Sequence, residues 1–315
     1  MAVMTGPALA ESPNCGKPNR ISVCLCTYRR PEMLKRALEG ILSQAPGLGF
    51  ELEIVVVDND HKRSARGIVE PFQGNTTVPI IYDCEPVKNI AHARNRSIGR
   101  ASGQFIATID DDEFPAADWL GRMQGCLKDF DADGVLGPVL PDFPDGAPGW
   151  LKTSRLCDRP RYATGSLLTS GDLRTGNALF KRELFKKGNT WFDPALGLTG
   201  GSDGQFIVGQ IRKGRKFVWC DEAAVFETVS AERWPARYYY RRYFRVGTMQ
   251  GRHHRRSRDI RAASTGLILL LGYVVVLPLM LVWGTSHRVK VLTKIHYQLG
   301  CLLSFLNLVD VPERA

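Results

Sequence analysis

Short apolar runs alternate with amphipathic stretches over the first half of the chain. Ile21–Thr27 and Glu53–Asp58 are rich in β-branched and other apolar residues, as strands covered on both faces are. Between them, Glu32–Gln44 has apolar residues at helical spacing, behind a proline suited to the first turn of a helix. This alternation predicts an α/β protein with a doubly wound, parallel sheet.

The alternation continues toward the middle of the chain. Val78–Tyr82 predicts a third strand, Ile90–Ala101 a helix, and Phe105–Ile109 another strand. The further elements that we predict are a helix over Trp119–Phe130, a strand over Gly134–Leu140, a loop over Pro141–Gly149, short strands or loops over Leu167–Leu184, a helix over Gln205–Arg212, and closing strands over Lys216–Trp219 and Ala223–Val229.

The most apolar stretch lies near the C-terminus. Ser264–Trp283 has twenty residues and no charged side chain, which is long enough for a helix through a hydrocarbon core of about 30 Å. Leu299–Val309 is too short to span alone, and we expect it to lie at the interface or to re-enter the membrane. A buried helix of a soluble protein is the alternative interpretation of Ser264–Trp283.

The net charge of +10 is concentrated in one segment. Between Arg233 and Arg261 there are ten arginines, opposed only by Asp259, so the rest of the chain is nearly neutral. Eight of these arginines directly precede the apolar stretch, which has three basic residues close behind it. The positive-inside rule therefore places the N-terminal domain in the cytoplasm.

The organisation that follows has three parts. We predict a disordered leader over 1–19, one large domain over 20–262, and a membrane segment over 263–315, as a transmembrane helix plus an interfacial or re-entrant part. The eight cysteines are scattered without CxxC spacing, which indicates reduced thiols rather than disulfides or a zinc site.

The candidate chemistry lies where the apolar run Phe105–Ile109 ends in four consecutive carboxylates, Asp110–Glu113. Because the carboxyl ends of parallel strands meet at one sheet edge, Thr27, Asp58 and Arg94 should lie near this cluster. Like charges repel unless a positive group sits between them. A divalent metal that holds a phosphorylated substrate is one such group; a solvated acidic turn is the alternative.

Together these segments resemble the family 2, GT-A-fold glycosyltransferases. The resemblance covers roughly residues 20–250. The matching segments, in order, are Cys26–Pro31, Val56–Asn59, Ala93–Asn95, Ile109–Glu113, Thr175–Asn177 and Gly200–Asp203. Within the family the chain looks most like bacterial exopolysaccharide glucosyltransferases of the succinoglycan type, with a Gly-Gly-Ser-Asp variant and a Glu-Arg-Trp segment at Glu232–Trp234. The resemblance implies a GT-A fold with a doubly wound, mostly parallel sheet, followed by a C-terminal membrane-anchoring helical segment.

The resemblance also implies roles for individual residues. Asp203 would be the catalytic base, and Asp112 and Asp110 would hold Mg²⁺ or Mn²⁺. The implied contacts to the nucleotide-sugar are Thr27, Tyr28, Arg29, Asp58, Arg94, Asp110 and Asp111. An arginine among Arg237, Arg241 and Arg242 would close over the diphosphate, or these residues would instead form a belt against anionic headgroups. Glu227 is a further candidate metal contact.

The implied function is a membrane-anchored, inverting transfer of one sugar from a nucleotide-sugar, UDP-glucose or a relative, to a lipid-linked saccharide at the cell inner membrane. The Gln-x-x-Arg-Trp motif of processive synthases is absent, which favours one sugar per encounter. The first alternative is a polyprenyl-phosphate glycosyltransferase. The alternative from another class is a non-catalytic basic protein that binds a membrane surface or nucleic acid; the local charge favours the membrane, so we expect no nucleic-acid partner.

Overall fold

The computed structural model describes residues 19–44, 49–169, 173–185, 188, 190–282 and 284–309. The predicted leader lies outside the described residues except for Asn19. The strands, in chain order, are β1 (Arg20–Thr27), β2 (Glu51–Asp58), β3 (Ile80–Cys84), β4 (Phe105–Asp110), β5 (Glu113–Pro115), β6 (Gly134–Leu136), β7 (Val139–Asp142), β8 (Asn177–Lys181), β9 (Phe217–Trp219) and β10 (Val225–Thr228).

Helices separate most of these strands. In chain order they are α1 (Pro31–Leu42), α2 (Arg66–Asn75), α3 (Ile90–Arg100), α4 (Trp119–Asp129), α5 (Gly149–Ser154), α6 (Ser202–Arg212), α7 (Ala236–Ser257), α8 (Ile260–Val276) and α9 (Thr285–Phe305). Short 3₁₀ turns lie at Arg182–Phe185, Pro194–Leu196, Ala231–Arg233 and Leu277–Val282.

The central sheet is mostly parallel, as the sequence predicted. Its strand order is β3-β2-β1-β4-β8-β6-β9, and β8 alone runs antiparallel to both of its neighbours. Alternate residues of the inner strands face opposite sides: Val23 packs in a core with α1 and α4, and Cys24 packs in a core with α3 and α6. Helices therefore cover both faces, which explains why β1 and β2 are apolar along their whole length.

A second, smaller sheet has the order β5-β10-β7. The single strand predicted over Gly134–Leu140 is wrong, because the chain divides there into β6 of the central sheet and β7 of the small sheet. The division falls at Gly137, where a Cβ would come within 2.5 Å of the Ala223 carbonyl oxygen. Only glycine permits this approach between the two sheets.

The other differences are at element ends. The predicted loop over Pro141–Gly149 begins as the end of β7 and closes at the start of α5. Helix α6 begins at Ser202, earlier than predicted. Helix α2 was not predicted, because Pro71 and Gly74 lie inside it and both residues lower helix propensity.

The C-terminal helices pack side by side. Gly247 and Gly251 of α7 approach the Tyr297 and Cys301 carbonyl oxygens of α9, so closely that a Cβ would come within 2.0 and 2.1 Å of them. The paired positions rise together, so α7 and α9 are parallel. Helix α8 runs antiparallel to α9, because Gly266 lies against Gln298 and Tyr273 lies against Lys294. The predicted span falls on α8 and the following turn. Among the described residues, no helix is both long enough and apolar enough to cross a membrane.

Asn177 joins the two sheets, and its removal tests this part of the fold. Its side chain accepts from Trp119 Nε1 (2.8 Å) and donates to the Pro138 and Ala223 carbonyls (2.9 and 2.8 Å). We expect Asn177→Leu to lower the free energy of unfolding by roughly 3 kcal/mol, because three buried polar groups lose a partner. Denaturant unfolding measures the change, with exposed Asn75→Leu as the control; equal effects would contradict the assignment.

Candidate active site

The ends of three parallel strands form the floor of the site. In the strand registers Thr27 lies beside Asp58, and Cys26 lies beside Asp110. The side chains that follow β1, β2 and β4 therefore lie at one edge of the sheet, as the alternation predicted.

Arg94 joins two predicted site residues that are far apart in sequence. This guanidinium of α3 is largely buried, and it donates to Asp203 and, over 3.3 Å, to Asp110 Oδ1. Burial alone would lower the pKa of Arg94, but Asp203 and Asp110 raise it above its ordinary value. The Asp110 side chain is 46% exposed, so one of its sides is open to a ligand.

Two consecutive left-handed glycines place Asp203. Gly200 and Gly201 have φ of 98° and 100°, which other residues adopt only with strain. The chain then enters α6 at Ser202, so Asp203 lies in the first turn. A carboxylate is stabilised there by the helix dipole, and the side chain faces Arg94. The Ser202 hydroxyl lies 3.3 Å from an Asp203 oxygen.

Asp111 and Asp112 face two other arginines. Asp111 accepts from the Thr27 hydroxyl (2.8 Å) and from Arg30 (3.0 Å). Asp112 is paired with Arg30 (3.2 Å) and Arg233 (2.8 Å). Burial raises the pKa of Asp111. Burial, followed by the neighbouring Glu227 carboxylate, raises the pKa of Asp112 to about 7.

Glu113 and Glu227 lie beneath this cluster as partners across the small sheet. Arg159 contacts Glu227 at 2.5 Å and Glu113 at 3.8 Å, and Arg233 also contacts Glu227, at 2.7 Å. Burial would raise the pKa of Glu227, but the two guanidinium groups hold it below its ordinary value. Burial raises the pKa of Glu113, as does Asp110.

The residues present fit a divalent cation. The six carboxylates contact four guanidinium groups, which leaves an excess of two negative charges when all are ionised. Among the described residues, Oε1 of Glu113 is a buried oxygen without a hydrogen-bond partner. A pocket of about 190 Å³ also reaches Asp112. No three His, Cys, Asp or Glu side chains of the described part converge on one metal position, so a cation here would take further ligands from a bound diphosphate.

Of the residues predicted to contact the nucleotide, those that follow β1 and β2 differ in their access. Tyr28 is half-buried between two cations, with the Arg29 guanidinium 4.9 Å and the Lys88 ammonium 5.0 Å from its ring centroid. Arg29 pairs with Asp60 at 3.0 Å. Thr27 is buried against Asp111.

Asp58 is placed differently from what we predicted. It is fully buried and accepts from Asp60 N, Ala65 N and the Tyr82 hydroxyl (3.0, 2.7 and 3.1 Å). In this conformation Asp58 supports the loop after β2 and does not face the cleft.

The arginine of this region that reaches the carboxylates is Arg233, and the contact of Arg237, Arg241 or Arg242 with the diphosphate stays a prediction. Arg241 is exposed on α7, and Arg242 is half-buried near Glu227 without a direct ion pair to the cluster. Arg30, Arg159 and Arg233 were not predicted as site residues. Arg30 and Arg233 lie inside two of the segments that carried the resemblance, Cys26–Pro31 and Glu232–Trp234, which was a usable signal; Arg159 lies in none of them.

Comparison with known proteins agrees with this geometry. Residues 22–188 match the family described as "Glycosyl transferase family 2". The chain is 33% identical over 235 residues to "Succinoglycan biosynthesis protein ExoM" of Rhizobium meliloti, and the match covers 74% of each chain.

Solved structures share the fold. The mannosyltransferase PcManGT of Pyrobaculum calidifontis, in complex with GDP-Man and Mn²⁺, aligns with a TM-score of 0.59 at 16% identity over 93% of this chain and 88% of that one. TarS 1-349 of S. aureus, in complex with UDP-GlcNAc, aligns with a TM-score of 0.51 at 18% identity. That alignment covers 67% of this chain and 59% of the TarS chain.

The raised pKa of Asp112 predicts how stability changes with pH in metal-free protein. The folded state keeps a proton that the unfolded chain loses near pH 4, so this stabilisation is fully present below pH 4 and is lost as pH rises through about 7. Relative to the wild type, Asp112→Asn should therefore become more stable by roughly 2 kcal/mol between pH 5 and pH 8. Urea unfolding across this range measures the difference. Exposed Glu39→Gln should follow the wild-type curve, and a parallel curve for Asp112→Asn would contradict the assignment.

Proposed function

Since the chain belongs to glycosyl transferase family 2, we propose that it moves one sugar from a nucleotide-sugar to a lipid-linked saccharide in polysaccharide biosynthesis. UDP-glucose or a similar UDP-sugar is the proposed donor. The observation that carries the proposal is the Arg94 guanidinium, which links the exposed Asp110 at the end of β4 to Asp203 in the first turn of α6. Asp110, which would help to bind the sugar donor, and Asp203, which would accept the proton, thereby lie at one crevice.

Asp203 acts as the general base in this proposal. Its carboxylate takes the proton from the acceptor hydroxyl as that oxygen attacks the anomeric carbon, a contribution of about 10²–10⁴ in rate. Arg94 fixes the orientation of Asp203 through the contact between them. Mg²⁺ or Mn²⁺ held by Asp110 and Asp112 would neutralise charge on the leaving diphosphate.

The acceptor and the location are also parts of the proposal. A lipid-linked acceptor would bring the enzyme to the cytoplasmic face of the inner membrane, with the C-terminal helices as the anchor. The arginines of α7 and the exposed apolar residues of α8 support this location. The name of the Rhizobium meliloti relative supports a role in polysaccharide biosynthesis.

Donor transfer with and without a metal chelator tests the proposal. We expect membrane fractions to transfer sugar from one member of a panel of UDP-sugars, and excess chelator to abolish transfer because two carboxylates alone leave the diphosphate charge uncompensated. Added Mn²⁺ or Mg²⁺ should restore it. Activity that survives chelation would overturn the metal assignment, and no transfer or hydrolysis from any donor would favour a non-catalytic membrane-surface protein.

Asp203→Asn separates a hydroxyl acceptor from a polyprenyl phosphate. A hydroxyl must lose a proton, so we expect kcat to fall at least about 10²-fold, whereas a lipid phosphate is already ionised and would leave substantial activity. Exposed Asp129→Asn is the control for an aspartate-to-asparagine change on a helix. Substantial residual transfer by Asp203→Asn would favour the polyprenyl-phosphate reaction.

A single in-line displacement inverts the anomeric carbon. From an α-linked donor the product should therefore be β-linked, because the acceptor enters on the face opposite the leaving diphosphate. The anomeric proton coupling in the NMR spectrum of the isolated product reports the configuration. An α-anomeric proton would exclude this displacement and, with it, the proposed role of Asp203.

A further inference from the structure

Helix α8 leaves almost its entire apolar surface uncovered. Of its described side chains, Ile268, Leu271 and Val275 are 69%, 58% and 76% exposed, and their spacing puts them on one face of the helix. Leu267, Leu269 and Val274 are exposed as well. A contiguous apolar surface of this kind marks an interaction site on a folded protein.

The neighbouring helix carries a basic face. Five arginines of α7 follow one another at spacings of four, four, seven and four residues, which places them on a single stripe along the helix: Arg237, Arg241, Arg245, Arg252 and Arg256. Three more arginines, Arg255, Arg258 and Arg261, lie around the connection to α8. If a second copy of the chain covered α8, it would bring a second set of these arginines close to the first, and repulsion between the like charges disfavours that arrangement. An anionic lipid surface complements both the charge and the apolar face.

The packing of α8 on α9 defines how a membrane can cover it. The Lys294 ammonium of α9 lies 5.7 Å from the ring centroid of Tyr273, and Gln298 lies against Gly266. Polar groups of α9 therefore lie level with the middle of α8. An upright α8 of 17 residues would be about 25 Å long, which is shorter than a hydrocarbon core of about 30 Å, and it would carry the Lys294 and Gln298 side chains packed against it into that core.

We propose that α8 lies in the plane of one anionic leaflet, with α7 and α9 above it as a basic layer. In this arrangement the Ile268 face enters the acyl region and the arginines and lysines remain at headgroup level. Helix α9 begins beside the catalytic domain, where the Ser286 hydroxyl donates to the Trp150 carbonyl (3.0 Å). Docking would thus hold the domain at the membrane surface, an inference that rests on the proposed membrane-bound acceptor.

Depth measurements on the full-length protein test the orientation. A fluorescent amino acid is placed at position 268, 271 or 275, and quenching by lipids labelled near the headgroup or deep in the chain gives the depth of each. An in-plane helix puts all three at a similar shallow depth. An upright helix separates positions 268 and 275 by about 10 Å, at 1.5 Å per residue, and that result would overturn the proposal.

Vesicle binding tests the partner and needs no sugar donor, so its failure is distinct from failure of the transfer assay. We expect binding to vesicles of phosphatidylcholine with phosphatidylglycerol and much weaker binding to phosphatidylcholine alone. The double variant Arg252→Gln/Arg256→Gln should weaken binding by about five-fold per arginine. Exposed Arg122→Gln/Arg212→Gln in the catalytic domain should have no effect. Equal losses from the two double variants would overturn the role of the stripe.

The triple variant Ile268→Ser/Leu271→Ser/Val275→Ser removes the apolar face while leaving the packed side of α8 intact. It should weaken vesicle binding by at least about ten-fold, because three apolar side chains no longer enter the acyl region. Circular dichroism and light scattering accompany the measurement. A wild-type dimer that the triple variant converts to monomer, without any vesicle binding by either, would overturn the lipid assignment in favour of a second copy.

Discussion

The burial of consecutive carboxylates at the end of β4 is the constraint on which this site depends. Asp111, Asp112 and Glu113 are each less than 9% exposed, and ionised groups in such surroundings need positive partners. The partners come from three places in the chain: Arg30 before α1, Arg159 after α5, and Arg233 in the turn before α7. The charge requirement of one strand end thus fixes how distant elements pack around it.

The arginines around the cluster have two different roles. Arg30, Arg159 and Arg233 hold the buried carboxylates, whereas Arg94 faces the open side and contacts Asp110 and Asp203. When all six carboxylates are ionised, the cluster has an excess of two negative charges, which a divalent cation with an anionic ligand would offset.

The sequence predicted the fold where the signal was local and failed where it was long-range. The strands up to β4 and the edge shared by Thr27 and Asp110 follow from apolar periodicity and from the rule that parallel strands end together. The division of Gly134–Leu140 between two sheets has no periodic signature, because it depends on how closely Gly137 approaches the Ala223 carbonyl. Partners such as Arg159 and Glu227 lie 68 residues apart, and a single sequence carries no record of such pairs.

Arg233 connects the acidic cluster to the basic helix α7. It bridges Asp112 and Glu227, and α7 begins three residues after it. The position of α7 therefore determines where the counter-ion of two buried carboxylates lies. Because Asp112 and Glu227 are both largely buried, a displacement of Arg233 would leave two carboxylates without this partner in surroundings where an uncompensated charge costs several kcal/mol, on the order of 3–5. The charge of the acidic cluster thus constrains how the basic helix packs on the domain, with Arg233 as the residue that both share.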